Sequence, residues 1–413
     1  MSTVMPSLAN ALKIKIWKEG VWSQDPSTLT EKIAYTVPIS DGTNTVTNNK
    51  EELVSNELDG QKQQTAPRFG ADNSTLPLSF EFRYSEYMDI MLQSALGSEL
   101  VNTYKATHLN ANVSVTGSTM SITGAGDLTE LGLEVKDEDN DIAGKYSLEF
   151  GASAGDNGAF TLVSVTATDL VFEEDLPTDH GDVTIKSFER TMKNGTGVCA
   201  VGCEQEYVNL NAANNFRGTK GSVLNSLSIN KSVGDIDRVE ADFLGNYVAG
   251  YGNTKLDGFE VKDIPDVEQM AYIDGVFELD GNPLTVLQSL GVTINRNAEV
   301  INRCGSRDAF TITQGKFQIE FAYESAKTDN LFNDLFDNAT TGEDKNKFTF
   351  KAKMMDAVGN YYMFEAPFAR ITTTEESVGE TRINSTGTIK CYANEAESAD
   401  DSYTIKLTAY GAN

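Results

Sequence analysis

Polar and apolar residues alternate along much of the chain, and in two places the alternation runs into a helical spacing. Residues 76–97, LPLSFEFRYSEYMDIMLQSALG, put Phe80, Phe82 and Tyr84 on one side of a strand and Glu81 and Arg83 on the other. Residues 315–338, GKFQIEFAYESAKTDNLFNDLFDN, repeat the arrangement with Ile319, Phe321 and Tyr323 opposed to Glu320. With the same offset kept, Leu92 falls on Leu331 and Leu96 on Leu335, a four-residue spacing that makes one helical stripe. Each stretch therefore predicts a strand followed by a short amphipathic helix.

A second pair of segments resembles itself in the same way. Residues 223–232 (VLNSLSINKS) and 286–295 (VLQSLGVTIN) both read as strands with a Val-Leu-polar-Ser-Leu core. Together the pairs predict an internal duplication. The alternative is chance, because strand patterning is degenerate. The expected fold is mainly β: two related β-sandwich units, each with a short flanking helix, plus a small inserted β-barrel-like module. Residues 1–105 would begin the first unit, and 181–262 would complete it and add a linker. Residues 106–180 would be the insert, where short alternating strands are separated by Gly, Asp and Asn turns such as Asp156-Asn157-Gly158. Residues 263–413 would be the second unit. A polar stretch at 41–74 is long for a compact domain, which suggests a loop ordered by a partner. Pro367 suggests an edge or bulge position in its strand.

Composition narrows the function classes. The 413 residues are 39% hydrophobic and 23% charged, enough for real cores. No apolar run approaches the roughly 20 residues of a membrane span. The first residues lack a basic segment followed by a long apolar block, so synthesis and folding in a cytoplasm are expected. The formal net charge is −28, which excludes gripping nucleic acid through its phosphates. A surface that lets DNA pass without sticking would be acidic, although acid also simply keeps a β-rich protein in solution.

Candidate chemistry fails on context. Gly151-Ala152-Ser153-Ala154-Gly155 matches the nucleophile elbow, but a further strand rather than a helix follows it, and only His108 and His180 could serve a triad. Asp137, Asp139 and Asp141 open like a calcium loop, but Ile142 and Leu148 stand where Gly and Glu should be. Cys199 and Cys203 form C-x3-C without enough further ligands for a metal, and with Cys304 and Cys391 they are expected as free thiols, a late disulfide being the alternative. No catalytic residue, metal ligand or cofactor is predicted.

Several segments, in order, resemble the tail tube (major tail) proteins of long-tailed bacteriophages. Asn56-Glu57-Leu58, a polar loop, Gly70 and the first strand–helix are similar to that family's N-terminal region. The run from Asp156 to Leu162, with Thr166-Ala167-Thr168, is similar to a small β module of its larger members, and the stretch from Gly221 to Leu227, closing at Phe243-Leu244-Gly245, to a third segment. The resemblance implies tail-tube-type sandwich units that join sheet to sheet into rings, stacked into a tube through which the genome passes at ejection. It implies a virion protein assembled in the host cytoplasm, self-association, contact with other tail proteins, and DNA passage without specific binding. Two units in one chain suggest trimeric, pseudo-hexameric rings, with hexameric rings as the alternative. Glu81 and Glu320, on the polar face of the repeated strand, are the candidate lumen-facing residues, unless that face meets solvent or a neighbour. Asn56, Glu57, Leu58, Arg68 and Arg303 are candidate inter-subunit or inter-ring contacts. The insert is expected on the outside. Another tail or baseplate β-protein, or a host-surface binding module, is the runner-up, although the aromatic residues fall mainly at core-like strand positions.

Overall fold

The computed structural model describes residues 12–40, 44–53, 68–102, 107–109, 112–124, 127–131, 133, 135–136, 145–150, 158–177, 183–208, 215–271, 275–304, 306, 310–327, 331–337, 347–378, 383–394 and 402–411. In chain order the strands and helices are β1 (Leu12–Lys18), β2 (Ile33–Val37), β3 (Thr47–Leu53), β4 (Arg68–Glu81), α1 (Glu86–Leu96), β5 (Val101–Asn102), β6 (Thr107–Leu109), β7 (Asn112–Thr116), β8 (Thr119–Thr123), β9 (Lys145–Phe150), β10 (Gly158–Val165), β11 (Asp169–Phe172), β12 (Val183–Ser187), β13 (Glu189–Lys193) and β14 (Val201–Tyr207). They continue as β15 (Phe216–Ser232), β16 (Arg238–Tyr251), β17 (Glu260–Lys262), β18 (Val276–Leu279), β19 (Asn282–Pro283), β20 (Leu287–Asn295), β21 (Ala298–Ile301), β22 (Thr311–Gln314), β23 (Gln318–Ala326), α2 (Leu331–Asp337), β24 (Phe348–Met355), β25 (Tyr361–Val378), β26 (Ile383–Cys391) and β27 (Lys406–Tyr410). The fold is mainly β, as the alternation predicts. Its contacts divide into one unit of Met1–Glu99, Lys193–Gly359 and Met363–Lys406, and another of Leu100–Met192, Asn360–Tyr362 and Leu407–Asn413.

The larger unit is built on one antiparallel run of eight strands, β3-β4-β16-β15-β20-β23-β26-β25. Its strands alternate because one face is dry. A row of partners crosses the sheet from Phe80 through Val239, Ile229, Val292, Phe321 and Ile389 to Ile371. Every one of these side chains is buried, and fully burying such a group contributes roughly 1.5–3 kcal/mol. The two VL-x-S-L segments lie side by side, with Leu227 opposite Ile294 and Ile229 opposite Val292. β20 pairs directly with β23, whereas β16 stands between β15 and β4. The repeated segments thus hold different positions about their two strand–helix elements. Pro367 lies within β25 but ahead of the β26 ladder, which starts at Ala369, so its missing N–H costs that ladder nothing.

β15 is long enough to serve two partners on one side: its first part pairs with β14 and its second with β20. β14 leads on to β1, β2 and the parallel β17. Helix α1 packs against β15 and β20 and against β1 and β2, so it is covered on both sides. Ser85 caps it by accepting the Met88 N–H at 3.3 Å, and Glu86 and Asp89 suit the positive end of its dipole. It ends at Gly97, whose φ of 65° lies in the left-handed region, and a Cβ there would come within 2.4 Å of the Arg296 guanidinium. The copies differ here. Leu92 and Leu96 are fully buried, but Leu331 at the start of α2 is exposed. α2 covers the sheet mainly through Phe332, stacked on Tyr323 at 4.3 Å, while Phe350 of β24 tilts against Phe321 at 4.8 Å.

Arg296 joins the later strands to the first helix. Its Nη1 donates to the Ser94 carbonyl at 2.6 Å and its Nη2 to the Gly197 carbonyl at 3.2 Å, with the side chain 2% exposed. Burial pulls it down to about 10. It remains a cation at neutral pH, placed where a helix C-terminus favours one. Glu19 makes a comparable tie. Its carboxylate accepts the Gly221 N–H at 2.9 Å and the Gln24 N–H at 3.2 Å, holding the turn after β1 to a bulge in β15.

The smaller unit holds a seven-stranded antiparallel sheet in the order β6-β12-β9-β10-β11-β8-β7. It has its own core, including Met120, Leu148, Phe150, Leu162, Leu170, Phe172 and Ile185, with Phe160 edge-on to Phe150 and Phe172. The motifs at 151–155 and at Asp137, Asp139 and Asp141 lie outside the described residues, as do Asp156 and Asn157. The four cysteines are free thiols, and burial pushes the Cys203 and Cys391 thiols up.

Two outcomes follow. Replacing Arg296 by Met leaves the Ser94 and Gly197 carbonyls without their charged donor, and urea unfolding should show a loss of about 3 kcal/mol; an unchanged midpoint would contradict the joint. Glu19 is pushed up to about 7 by burial, which outweighs its N–H donors. Its folded form holds the proton more tightly than the unfolded chain. The resulting stability is fully present below about 4.5 and is lost as pH rises through about 7. Glu19→Gln should flatten that decline, worth at most about 3 kcal/mol, in unfolding measured from pH 4.5 to 8; an identical pH slope in the variant would contradict it.

Candidate functional site

The opposite face of the eight-stranded sheet is largely polar. One row runs from Ser79 through Glu240, Ser228, Thr293, Glu320 and Lys390 to Arg370. The next runs from Glu81 through Arg238, Asn230, Gly291, Ala322 and Thr388 to Thr373. The period of two makes this inevitable: each residue between two members of the dry row must point the other way. Glu81 and Glu320 therefore share one face of one sheet. They are four strand positions apart, roughly 19 Å at ~4.8 Å per strand.

Neither carboxylate stands alone. Glu81 accepts Arg83 Nη2 at 3.1 Å and Gln269 Nε2 at 3.0 Å, and Arg238 is its cross-strand partner. Glu320 pairs with Lys390 at 2.9 Å, which raises the Lys390 pKa. Glu324 accepts Asn384 Nδ2 at 2.8 Å. Burial raises the pKa of Asp242. Among the described side chains, the carboxylates of this face, Glu81, Glu240, Asp242, Glu320, Glu324 and Glu375, exceed its cations Arg83, Arg238, Arg370 and Lys390 by two, a small part of the −28 carried by the chain. The face is one of hydroxyls, amides and mutually compensated charges. That suits a hydrated surface that neither grips phosphate nor repels it strongly.

The other predicted residues are dispersed. Asn56, Glu57 and Leu58 lie outside the described residues. Arg68 is the first residue of β4, in register with Leu53. Arg303 is exposed just after β21, its guanidinium 5.5 Å from the ring centre of Phe310, itself 54% exposed. β21 and β22 form a separate two-stranded sheet. Sequence reasoning did not pick out Arg238, Glu240, Arg370 or Lys390. The Arg238-Val239-Glu240-Ala241-Asp242-Phe243 alternation does mark a half-buried strand, but nothing local says that β16 lies against β4. Among the described residues no three of His, Cys, Asp or Glu are grouped to hold a metal, and no helix is long and apolar enough to cross a membrane.

Comparison with known proteins adds one positive finding. A family model described as phage tail tube protein matches residues 9–360. No curated protein matches the chain.

The Glu320–Lys390 pair is partly exposed, at 32% and 44% for the two side chains. Glu320→Gln should change unfolding stability by less than about 0.5 kcal/mol while the Lys390 pKa falls back toward its ordinary value, read by NMR titration. A much larger loss would mean that the face is a packed core.

Proposed function

The chain belongs to the phage tail tube protein family, a structural component of the virion tail, and on that footing we propose that it polymerises into stacked rings whose polar sheet faces line the bore. The family implies a non-enzymatic role and self-assembly with other tail proteins. DNA would pass through this bore at ejection without specific binding, and assembly would take place in the host cytoplasm before release. The observation that carries the reading is the eight-stranded antiparallel sheet, dry on one face and polar on the other. A domain needs the dry face for its core. A continuous polar face that wide is what a shared, water-filled barrel would use.

Strand counting supports three chains per ring. At a spacing of ~4.8 Å and a tilt of ~40°, each strand takes about 6 Å of circumference. Three copies of eight strands, about 24 in all, give a circumference of ~150 Å and a backbone diameter of ~48 Å. Subtracting side chains leaves a bore that clears a duplex of roughly 20 Å, whose grooves are ~8 Å deep. Six such copies would double the diameter and leave most of the bore empty. A three-chain ring also fits the repeated strand–helix elements as pseudo-sixfold units, with 263–413 as the second. Residues 106–180, within the unit that has its own core, would decorate the tube wall. Residues 41–74, expected as one loop, instead contain β3 and the start of β4 in antiparallel register, because their polar residues sit on paired strands of the central sheet. Asn56, Glu57, Leu58 and Arg68, and the β21–β22 arm with Arg303, would make contacts between subunits or rings. In this setting Glu81 and Glu320 would face the lumen with their countercharges beside them.

Cryo-EM of filaments formed by the purified chain should show three chains per ring, with the Glu81 and Glu320 face inward. Six chains per ring would contradict the stoichiometry. A chain that stays monomeric at every concentration and salt would contradict the tube, leaving another tail or baseplate β-protein, or a host-surface binding module, in its place.

A further inference from the structure

We propose that the strand pair β3–β4 holds one calcium ion on its core side, with Asp72, Ser74 and Asn48 as the side-chain ligands. The inference goes beyond the tube reading and does not depend on it. On β4 the residues that face the core are Leu76, Leu78 and Phe80, all buried. The same alternation carries Ser74 and Asp72 to that face. Ser74 lies opposite Asn48, and Asp72 opposite Lys50. The core side of the strand therefore changes from apolar to oxygen-bearing at Ser74, while the strand itself runs on.

Three oxygens there are buried and unpaired. Ser74 is 1% exposed, and its Oγ has no hydrogen-bond partner among the described residues. Asn48 Oδ1 and Asp72 Oδ1 are likewise buried without one. Buried polar atoms are nearly always satisfied, so three orphans on neighbouring positions call for a ligand. A fourth oxygen lies beside them. Gly245 is the β16 partner of Ser74, and a Cβ on it would come within 2.3 Å of Ser222 Oγ, which fills the place of the absent side chain. Ser222 Oγ donates to Thr219 Oγ1 at 2.7 Å, so its lone pairs stay available. Asn73 Oδ1 is also buried and unpaired, but its residue belongs to the opposite face.

The donor set selects the ion. A carboxylate, an amide carbonyl and hydroxyls are hard oxygen ligands, with neither nitrogen nor sulfur among them, which favours calcium or magnesium over zinc or copper. Directly opposed residues hold their Cβ atoms about 5 Å apart and diagonal ones about 7–8 Å. Oxygens from all three side chains can thus meet at about 2.4 Å from one centre. Ligands set out on one sheet surface make an irregular shell, which calcium accepts and magnesium does not. Lys50 is exposed and has partners of its own, while Asp72 Oδ1 is buried and unpaired. With a single carboxylate the affinity belongs to the weak range, about 10⁻⁴–10⁻³ M.

The test is equilibrium dialysis of radiolabelled calcium against the full chain, stripped with chelator, in sodium chloride that screens the diffuse acidic surface. The unmodified chain should take up one calcium saturably, and an equal concentration of magnesium should not displace it. Asp72→Asn and Ser74→Ala should each lower the affinity at least about tenfold. Asp257→Asn, which removes an exposed carboxylate elsewhere, should leave it unchanged. Circular dichroism and a thermal midpoint check that each variant is folded; if Ser74→Ala is not, the nearly isosteric Asp72→Asn carries the test. No saturable site, displacement by equal magnesium, or unchanged affinity in the folded ligand variants would overturn the proposal, and ordered water would then pair the three oxygens. Any of these results leaves the tube reading standing, and failure to form filaments leaves the calcium site standing.

Discussion

Seven apolar side chains, one from each of seven adjacent strands, meet in a row from Phe80 to Ile371, and the larger unit is arranged to keep that row dry. Because side chains alternate, burying the row fixes the register of each strand: a slip of one residue would carry a phenylalanine into water and a glutamate into the core. It also creates the opposite face without further instruction. The polar surface proposed as the lining of a bore is a consequence of the core, made by the same strands.

Covering the row takes different means in the two halves of the sheet. Over β15 and β20 lies α1, closed in by β1 and β2 on its outer side. Over β23 lie Phe332 of α2 and Phe350 of β24. The buried Arg296 guanidinium crosses between the halves, tying the end of β20 to the last turn of α1 and to the Gly197 backbone. A cation so deeply buried is tolerated because its acceptors are carbonyls at a helix C-terminus. This joint makes the two repeats one body, in keeping with a single sheet that spans both.

Much of this was legible in the residues. The alternation at 76–84 and 317–323, the leucines that follow each, and the VL-x-S-L pair mark β4, β23, α1, α2, β15 and β20, and the face carrying Glu81 and Glu320 follows from parity alone. What stayed hidden depends on contacts distant in sequence. Glu320 meets Lys390 only because β23 lies beside β26, and Arg238 faces Glu81 across more than 150 positions of chain. The net charge of −28 does not say where charge resides; on this face it is largely compensated. Equal leucine spacing likewise could not reveal that Leu92 is buried and Leu331 exposed, since β1 and β2 enclose α1. Arg296 had no sequence signal beyond an arginine at the end of a strand.

The central claim is that one sheet, buried along its dry face within each chain, becomes part of the wall of a tube built from copies of itself. Peptide-resolved hydrogen exchange on the same material before and after assembly tests this most directly. Amides in residues 47–53 and 372–378 should slow markedly on assembly, while those of α1, already enclosed, should exchange as before. Equally rapid exchange at both edges in assembled material would contradict the account.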